Sequence, residues 1–426
     1  MNAIAIDPLP HAIDTTLTLP GSKSYTNRAF IAAALARGET RLRHALFSDD
    51  TRYMADSLRR LGIAVHEDEA SRTMTVPGCD GTLPASQAQL FVGNAGTAAR
   101  FLPPMLALGT GTFELDGVPR MHQRPIGPLL TALRSLGANV ECLGAPESVP
   151  LRVIADGLVG GLVRIRGDLS SQYISGLLLS APYMRDGLKI ALDGPLVSRP
   201  YVAMTQQTMR DFGVQATAEG DDTFIVAPGQ RYVGRDYDVE PDASAASYFF
   251  AAAAITGGRA RVEGLGSRSL QGDLDLVHIL ARMGCKVGQG ETWTEVIGPP
   301  RGQLRGVEVD MRDLSDVAQT LAIVAPFASS PSRITGIGFI RAKETDRIGA
   351  PVRELVKLGA RAEEEPDGIR IDPGVPHGGT VATYDDHRMA MSFAVLGLVV
   401  PGIRIENPSC TAKTFPDYFD YLARLR

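Results

Sequence analysis

Hydrophobic and polar positions follow one order six times along this chain of 426 residues. A short polar start is followed each time by an apolar, alanine-rich run, as in residues 29–35, which predicts a buried helix. The six starts recur at intervals of about 70 to 76 residues and lie at Ser22, Asn94, Ser170, Asp242, Asp316 and Asp386. This regularity predicts six copies of one structural unit, each with its first helix capped by the polar residue.

A second, amphipathic helix is predicted in each unit, and it ends at a glycine that leads into an alternating strand. Examples are residues 53–61 before Gly62 and residues 129–136 before Gly137. Glycine at such a position suits the left-handed conformation that often ends a helix. The equivalent residues further along the chain are Gly213, Gly284 and Gly359.

Strands and a domain boundary follow from the same repeat. Alternating runs typical of strands, such as residues 188–192 and 403–405, lie between the predicted helices. Three units would form one domain and three the other, with the join near residues 239–242. The repeat leaves open where the strand predicted within residues 1–20 pairs.

The length of the chain indicates two domains, and its composition indicates a globular protein. Hydrophobic residues make up 44% of the chain and charged residues 21%. No apolar stretch approaches a membrane span, and the first residues lack a signal or transit pattern, so we expect a cytoplasmic protein without a membrane partner. The net charge of −5 argues against a nucleic-acid partner. The four cysteines are too scattered for a disulfide framework or a metal site.

The polar helix starts also predict a binding site for anions. A helix N-terminus carries unbonded N–H groups and about half a positive charge, so several such ends aimed at one cleft would bind phosphate. Basic residues accompany these starts, among them Lys23, Arg28, Arg100, Arg388 and Lys413. Each of them alone could equally be a solvated side chain or a surface ion pair. The glycine-rich segments lack the spacing of nucleotide-binding loops.

Five motifs are distributed from one end of the chain to the other: LPGSKS…NRA at 19–29, LFVGNAGTAAR at 90–100, RAKETDR at 341–347, DHRMAM at 386–391 and KTFP at 413–416. Together they resemble the motifs of the 5-enolpyruvylshikimate-3-phosphate synthase family of enolpyruvyl transferases. The resemblance implies an α/β fold of two domains, each built of three βαβαββ-type units in an inverse α/β barrel-like arrangement. One domain would hold residues 21–240 and the other residues 1–20 with 241–426, with the active site in the cleft between them.

The resemblance also implies the reaction and the residues that bind its two substrates. Enolpyruvyl transfer from phosphoenolpyruvate to shikimate 3-phosphate, in the shikimate pathway of aromatic amino acid biosynthesis, would need no cofactor and no metal, and we expect a monomer. Shikimate 3-phosphate would be held by Lys23, Ser24, Arg28, Ser170, Ser171, Gln172, Ser198, Tyr201, Asp316 and Lys343. Phosphoenolpyruvate would be held by Lys23, Asn94, Gly96, Arg124, Gln172, Arg347, Arg388 and Lys413.

Four of these positions are implied to be catalytic. The reaction is an addition followed by an elimination, and it needs a base, an acid and cations at the leaving phosphate. By resemblance Asp316 and Lys343 would act at the attacking hydroxyl group, Glu344 at the methylene carbon and Lys23 at the phosphate. The alternative is that Asp316 only caps a helix and that Glu344 only pairs with neighbouring cations.

Departures from the family pattern and two competing functions complete the predictions. Phe101 stands where relatives often carry proline, whereas the retained Gly96 is typical of enzymes sensitive to glyphosate. Phe339 and Asp385 each replace a frequent asparagine. The first alternative function is enolpyruvyl transfer to UDP-N-acetylglucosamine, but that family commonly has a cysteine in the loop at residues 120–125, which contains none. The second is a non-catalytic repeat protein that binds a partner.

Overall fold

The computed structural model describes residues 2–426 of the chain. The strands, numbered in chain order, are β1 (Ala3–Ala5), β2 (Asp14–Thr18), β3 (Glu39–Arg43), β4 (His66–Asp68), β5 (Thr73–Pro77), β6 (Gln87–Phe91), β7 (Thr110–Asp116), β8 (Asn139–Cys142), β9 (Leu151–Asp156), β10 (Gly161–Arg166), β11 (Leu188–Asp193), β12 (Ala216–Glu219), β13 (Thr223–Val226), β14 (Asp236–Asp238), β15 (Arg259–Glu263), β16 (Lys286–Gln289), β17 (Trp293–Ile297), β18 (Glu308–Asp310), β19 (Ser332–Thr335), β20 (Ala362–Glu365), β21 (Gly368–Ile371), β22 (Gly379–Val381) and β23 (Ile403–Glu406). The α-helices are α1 (Lys23–Leu35), α2 (Asp49–Arg60), α3 (Gly96–Leu106), α4 (Gly127–Ser135), α5 (Ser171–Ser180), α6 (Pro200–Asp211), α7 (Ala243–Thr256), α8 (Leu276–Arg282), α9 (Ala318–Val324), α10 (Gly349–Lys357), α11 (His387–Gly397) and α12 (Tyr418–Ala423).

Two compact units divide the described residues. Unit I comprises residues 21–240, and unit II comprises residues 2–20 together with 241–426. Each unit has a hydrophobic core of its own, formed by the buried faces of its helices and sheets. Each is therefore large enough and apolar enough to be treated as a domain.

One sheet pattern recurs in both units. A parallel pair of strands is followed by a third and a fourth strand that are each antiparallel to their neighbour, as in β6-β7-β9-β8. The same pattern holds for β14-β3-β5-β4, β10-β11-β13-β12, β2-β15-β17-β16 and β18-β19-β21-β20. In the sheet β22-β23-β1, the chain's first strand takes the third position, antiparallel to β23.

Segments distant in sequence complete the edge of two other sheets. Strand β2 lies parallel to β15, with Asp14 opposite Arg259, although about 240 residues separate them. Strand β14 lies parallel to β3 and returns the end of unit I to its first sheet. Residues 2–20 therefore belong structurally with residues 241–426.

The helices that follow the polar starts fill the middle of each core. Helices α1, α3 and α5 contact one another in unit I, and α7, α9 and α11 do so in unit II. Nearly all their side chains are buried, as expected for helices that are apolar on every side. Across residues 2–426, none of the helices has both the length and the apolar character needed to cross a membrane.

Four of the six polar starts cap their helices, as predicted. The side chains that accept a hydrogen bond from the backbone N–H two or three residues further on are those of Ser22, Ser170, Asp242 and Asp386. The capping prediction is wrong for the other two. The cap position of α3 is Ala95 rather than Asn94, and Asp316 lies inside a short 3-10 turn that precedes α9. Both of these polar side chains contact arginines instead.

The amphipathic helices end at left-handed glycines, as predicted. The φ angle is +82° at Gly62, after α2, and +97° at Gly137, after α4. The same left-handed conformation occurs at Gly213, Gly284 and Gly359. These turns direct the chain into the antiparallel strands of each sheet.

Candidate active site

The N-terminal ends of α7, α9 and α11 meet in unit II. Arg388, in the first turn of α11, donates from Nη2 to Ser244 Oγ of α7 over 3.3 Å and to Asp316 Oδ2 over 2.8 Å. Its backbone N–H donates to Asp386, the cap of α11, over 2.9 Å. Three helix ends with their partial positive charges therefore lie around one small region.

Arg347 lies at the centre of this region, with 2% of its side chain exposed. Its guanidinium donates to both carboxylate oxygens of Asp386, over 2.7 Å and 3.1 Å, and to Asp316 Oδ1 over 3.2 Å. Nη2 also lies 2.8 Å from Glu344 Oε2. Burial by itself lowers the pKa of Arg347, but Asp386, Glu344 and Asp316 together raise that pKa above its ordinary value. Arg347 is therefore a permanent positive charge in a fixed position.

Two lysines complete the group. Lys343 Nζ lies 3.7 Å from Asp316 Oδ1, and Lys413 Nζ lies 3.9 Å from Glu344 Oε1. The structure thus brings every predicted site residue of unit II into one group. We call it the unit II cluster, and it comprises Asp316, Lys343, Glu344, Arg347, Arg388 and Lys413.

Arg28 organises the first part of the predicted site in unit I. Its Nε donates to Thr205 Oγ1 over 2.8 Å, and its Nη1 donates to the carbonyl oxygen of Ser24 over 2.9 Å. Nη2 donates to the carbonyl oxygen of Tyr201 over 2.9 Å and to Ser175 Oγ over 3.3 Å. Burial lowers the pKa of Arg28 to about 10, which still leaves the group charged at neutral pH. Arg28 therefore positions Ser24 and Tyr201, two other predicted binding residues.

Arg124 and the loop before α3 form a second part of the unit I site. Arg124 Nη1 donates to the backbone oxygen of Asn94 over 2.9 Å and to its side-chain oxygen over 3.0 Å. Gly96 lies directly against the same guanidinium, because a Cβ atom there would come within 2.4 Å of Arg124 Nη2. The three predicted residues are thus in mutual contact, and glycine leaves the room that Arg124 occupies.

Ser170, Ser171 and Gln172 lie together at the start of α5. Ser170 caps the helix by accepting a hydrogen bond from the N–H of Gln172, and Ser171 is buried in the first turn. Gln172 Nε2 lies 3.5 Å from Thr97 Oγ1 in the first turn of α3. The starts of α3 and α5 are therefore adjacent, an arrangement that the repeat makes possible.

Lys23 and Ser198 lie at the starts of α1 and α6, beside the residues that Arg28 binds: Lys23 precedes Ser24, and the carbonyl oxygen of Ser198 accepts a hydrogen bond from the N–H of Tyr201 over 3.1 Å. Lys23 Nζ lies 3.4 Å from the buried carboxylate of Asp50. Ser198, two residues before α6, has a φ angle of +53°, a left-handed conformation that serine rarely adopts. A strained backbone at a buried polar residue is typical of binding sites.

Several residues that were assigned no substrate from the sequence hold the predicted binding residues in place. Arg100 Nη2 and the Tyr173 hydroxyl both donate to the carbonyl oxygen of Pro125, over 2.6 Å and 2.7 Å, and so fix the loop that carries Arg124. Ser244 is missed in unit II. The position of Arg100 beside a helix start was a usable signal, whereas a serine in a helix gives none.

Both units thus present cations that suit anionic ligands. Arginine offers paired N–H groups that match phosphate and carboxylate oxygens, and lysine adds a compact charge. The carboxylates of Asp316 and Glu344 lie among these cations, where they can exchange protons with a bound molecule. The arrangement suits a reaction between small molecules that carry phosphate and carboxylate groups.

Comparisons with known proteins agree with this chemistry. Residues 9–422 match the family model described as EPSP synthase (3-phosphoshikimate 1-carboxyvinyltransferase). The chain is 49% identical over 419 residues to the 3-phosphoshikimate 1-carboxyvinyltransferase of Trichormus variabilis, covering 98% of each chain. It is similar in structure to EPSP synthase from Acinetobacter baumannii, with 26% identity, a TM-score of 0.82 and coverage of 99% of this chain and 97% of that one. The enolpyruvyl transferase NikO from Streptomyces tendae shares the fold, with 20% identity, a TM-score of 0.79 and coverage of 99% and 96%. The predicted two-domain α/β fold is confirmed, and the chain belongs to the EPSP synthase (3-phosphoshikimate 1-carboxyvinyltransferase) family.

Proposed function

We propose that the protein transfers the enolpyruvyl group of phosphoenolpyruvate to the 5-hydroxyl group of shikimate 3-phosphate and releases phosphate. The observation that carries this proposal is the unit II cluster, in which Asp316 accepts hydrogen bonds from Arg347 and Arg388 and lies near Lys343. Such a group of cations suits the phosphate and carboxylate groups of both substrates. The name of the relative from Trichormus variabilis, 3-phosphoshikimate 1-carboxyvinyltransferase, supports the same reaction.

Residues of both units bind the substrates in this proposal. Phosphoenolpyruvate contacts Lys23, Asn94, Gly96, Arg124, Gln172, Arg347, Arg388 and Lys413. Shikimate 3-phosphate contacts Lys23, Ser24, Arg28, Ser170, Ser171, Gln172, Ser198, Tyr201, Asp316 and Lys343. An anion bound at Arg347 and Arg388 competes with Asp316 and Asp386 for the same N–H groups.

The first step is an addition across the double bond of phosphoenolpyruvate. The 5-hydroxyl oxygen of shikimate 3-phosphate attacks the carbon that carries the phosphate, and the methylene carbon gains a proton and becomes a methyl group. Asp316, with Lys343 beside it, accepts the hydroxyl proton. Glu344 supplies the proton at carbon, which requires its carboxyl group to be protonated at that moment.

The second step eliminates phosphate and restores the double bond. The bond from carbon to phosphate oxygen breaks, and the methyl group loses a proton to Glu344. Lys23 balances the charge that develops on the leaving phosphate. Neither step transfers electrons to or from a cofactor, so we propose that the enzyme works without one. We propose separately that it acts as a monomer and in the cytoplasm.

Phosphate release from phosphoenolpyruvate tests the reaction, with shikimate 3-phosphate and UDP-N-acetylglucosamine as parallel acceptors. We expect release only with shikimate 3-phosphate. In the same assay, Asp316→Asn should lower kcat by about a hundredfold or more, because the amide cannot accept the hydroxyl proton.

Asp275→Asn is the matched control, since Asp275 is an exposed carboxylate of unit II. It should retain wild-type turnover. Phosphate release only with UDP-N-acetylglucosamine would show that the proposed acceptor is wrong. No phosphate release with either acceptor would favour a non-catalytic binding protein. Near-normal turnover of a folded Asp316→Asn variant would contradict the proposed role of Asp316 but not the proposed reaction.

A further inference from the structure

The segment Gln271-Gly272-Asp273 is bound to the first turn of α7. Gln271 accepts a hydrogen bond from the N–H of Ala243 over 3.1 Å and donates to the carbonyl oxygen of Pro241 over 2.7 Å. The hydroxyl group of Ser244 donates to Asp273 Oδ2. This segment lies outside the motifs that predicted the site, and it holds the end of α7 that lies beside the unit II cluster.

Ser244 connects this segment to the unit II cluster. Its Oγ accepts a hydrogen bond from Arg388 Nη2 over 3.3 Å, and the same nitrogen donates to Asp316 Oδ2 over 2.8 Å. The hydroxyl group of Ser244 has one hydrogen and two lone pairs. When the hydrogen points to Asp273, the lone pairs of the Ser244 oxygen are free to accept a hydrogen bond from Arg388. Asp273 therefore determines the direction in which Ser244 accepts.

Asp273 is buried, with 3% of its surface exposed. The pKa of Asp273 is raised to about 6, mainly by burial and also by Asp316 and Asp242, although Arg388 and the hydrogen bond from Ser244 act in the opposite direction. These are the charged groups that face Asp273 from the turn before α9, from the cap of α7 and from α11. Asp273 is therefore mostly ionised at pH 7.5 and gains a proton below about pH 6.

We propose that Asp273 is a positioning residue, which holds the guanidinium of Arg388 through the hydroxyl group of Ser244 in the orientation that binds phosphoenolpyruvate. The inference rests on the proposed function, in which Arg388 is a phosphoenolpyruvate ligand. A carboxylate at position 273 accepts the hydrogen bond from the Ser244 hydroxyl group and so leaves the lone pairs of that oxygen for Arg388. A protonated Asp273 accepts less strongly, so the Ser244 hydrogen is no longer held in one direction and the contact with Arg388 weakens.

Steady-state kinetics of three variants test the proposal. Ser244→Ala and Asp273→Ala should each raise the KM for phosphoenolpyruvate by about fivefold to twentyfold, because a hydrogen bond to a charged group is lost. The KM for shikimate 3-phosphate should stay within about twofold. Asp273→Asn should stay close to wild type at pH 7.5, because the amide oxygen also accepts the Ser244 hydrogen.

The pH dependence separates positioning from mere structural support. Between pH 7.5 and pH 5.5 the KM of the wild-type enzyme for phosphoenolpyruvate should rise more than that of Asp273→Asn, because an amide does not titrate in this range. The ratio of the KM of the wild-type enzyme to the KM of Asp273→Asn is compared at each pH, because the ionisation of the substrates affects both values equally and cancels in the ratio. Equal pH profiles would contradict the proposal.

Ser247→Ala is the matched control, because Ser247 is a buried serine of the same helix, one turn further on, whose hydroxyl contacts the Ser244 carbonyl and Thr320 rather than Arg388. It should leave both KM values unchanged. An equal rise for both substrates, or no change in folded Ser244→Ala, would overturn the inference. If Asp273→Ala does not fold, the KM values of Ser244→Ala and the pH profile of Asp273→Asn still test the inference.

A thermal double-mutant cycle distinguishes failure of this inference from failure of the proposed function. If the wild-type protein releases no phosphate, the proposed reaction is wrong, whereas the melting temperatures of Ser244→Ala, Asp273→Ala and the double variant still report whether the two residues interact. Additive melting shifts would show that the link from Asp273 to Ser244 does not exist.

Discussion

Arg124 can occupy its position because residue 96 is a glycine and has no side chain. The guanidinium fills the volume that a Cβ atom would occupy, 2.4 Å from Nη2, and it is held there by two bonds to Asn94. Arg124 is itself buried, so it has little space into which it can retreat. The glycine is therefore required by the packing of a neighbouring charge rather than by backbone conformation.

Gly96→Ala should raise the KM for phosphoenolpyruvate by about tenfold, because Arg124 must move and lose its contacts with Asn94. The KM for shikimate 3-phosphate should change much less. Gly144→Ala is a suitable control, since Gly144 is exposed, is not in the left-handed conformation and would bring its Cβ no closer than 3.2 Å to Pro150. Wild-type kinetics for Gly96→Ala would mean that Arg124 takes no part in binding phosphoenolpyruvate.

Phe101 contributes to the surroundings of Arg28. Its ring is fully buried, and the Cζ atom of Arg28 lies 5.4 Å from the ring centre, while the Tyr201 ring lies 5.7 Å from the same atom. An arginine between two aromatic rings gains a favourable interaction with both. The departure from proline at this position thus acts on the residues predicted to bind shikimate 3-phosphate.

Helices α3 and α5 approach each other closely at Gly176. A Cβ atom there would come within 2.5 Å of the carbonyl oxygen of Arg100. The same stretch of α3 carries Arg100, which holds the loop before Arg124, so the spacing of these helices also sets the position of that loop. Packing between elements and site geometry are therefore linked.

Gly176→Ala should destabilise the protein by about 1–3 kcal/mol, because the added methyl group forces the two helices apart. Urea unfolding followed by circular dichroism measures the change. Ser180→Ala, in the same helix, removes a buried hydroxyl that has no hydrogen-bond partner among residues 2–426 and should cost little. Equal stability of Gly176→Ala and wild type would show that α3 and α5 can separate without loss.

The elements themselves were largely predictable, and the exceptions have a physical cause. Apolar periodicity predicted the buried helices, and glycine predicted the left-handed helix ends, because both depend on local geometry. Asn94 and Asp316 do not act as caps because the helices begin later than the sequence pattern indicates: the cap of α3 is Ala95, and the 3-10 turn that contains Asp316 precedes α9. The exact first residue of a helix is harder to predict from local preference than the helix itself.

At the scale of the whole molecule, the two units differ in how they use the chain. Residues 21–240 include every strand of their own sheets, whereas residues 241–426 need β1 and β2 to complete theirs. The two chain ends meet within unit II, where Arg426 lies 2.8 Å from Asp7. Unit II is therefore one folded body made from two separate stretches of sequence.

A fragment of residues 21–240 should fold alone and unfold in one cooperative transition, because its core and sheets are complete. A fragment of residues 241–426 should associate or remain partly unfolded, because β15 and β23 would each have an exposed edge. Joining residues 2–20 after residue 426 with a short linker should restore folding. Thermal melts and size-exclusion chromatography check this. A well-folded, monomeric fragment 241–426 would show that β1 and β2 are dispensable.

The repeat, the helices, the family and the charged residues of the site could all be predicted from the sequence. These follow from periodicity and from motifs, which are properties of neighbouring residues. The sequence named Arg388 and Asp316, and the tertiary structure added that Ser244 and Asp273 lie beside them.

The pairing of β1 and β2 and the contacts that orient the site, by contrast, could be seen only in the folded structure. Asp273 reaches Ser244 across 29 residues, and Ser244 reaches Arg388 across 144. No local pattern marks such pairs, because a hydrogen bond depends on where two segments meet in space and not on the residues that surround each of them. The same holds for β2 and β15, which pair in the folded structure although no feature of either strand indicates its partner.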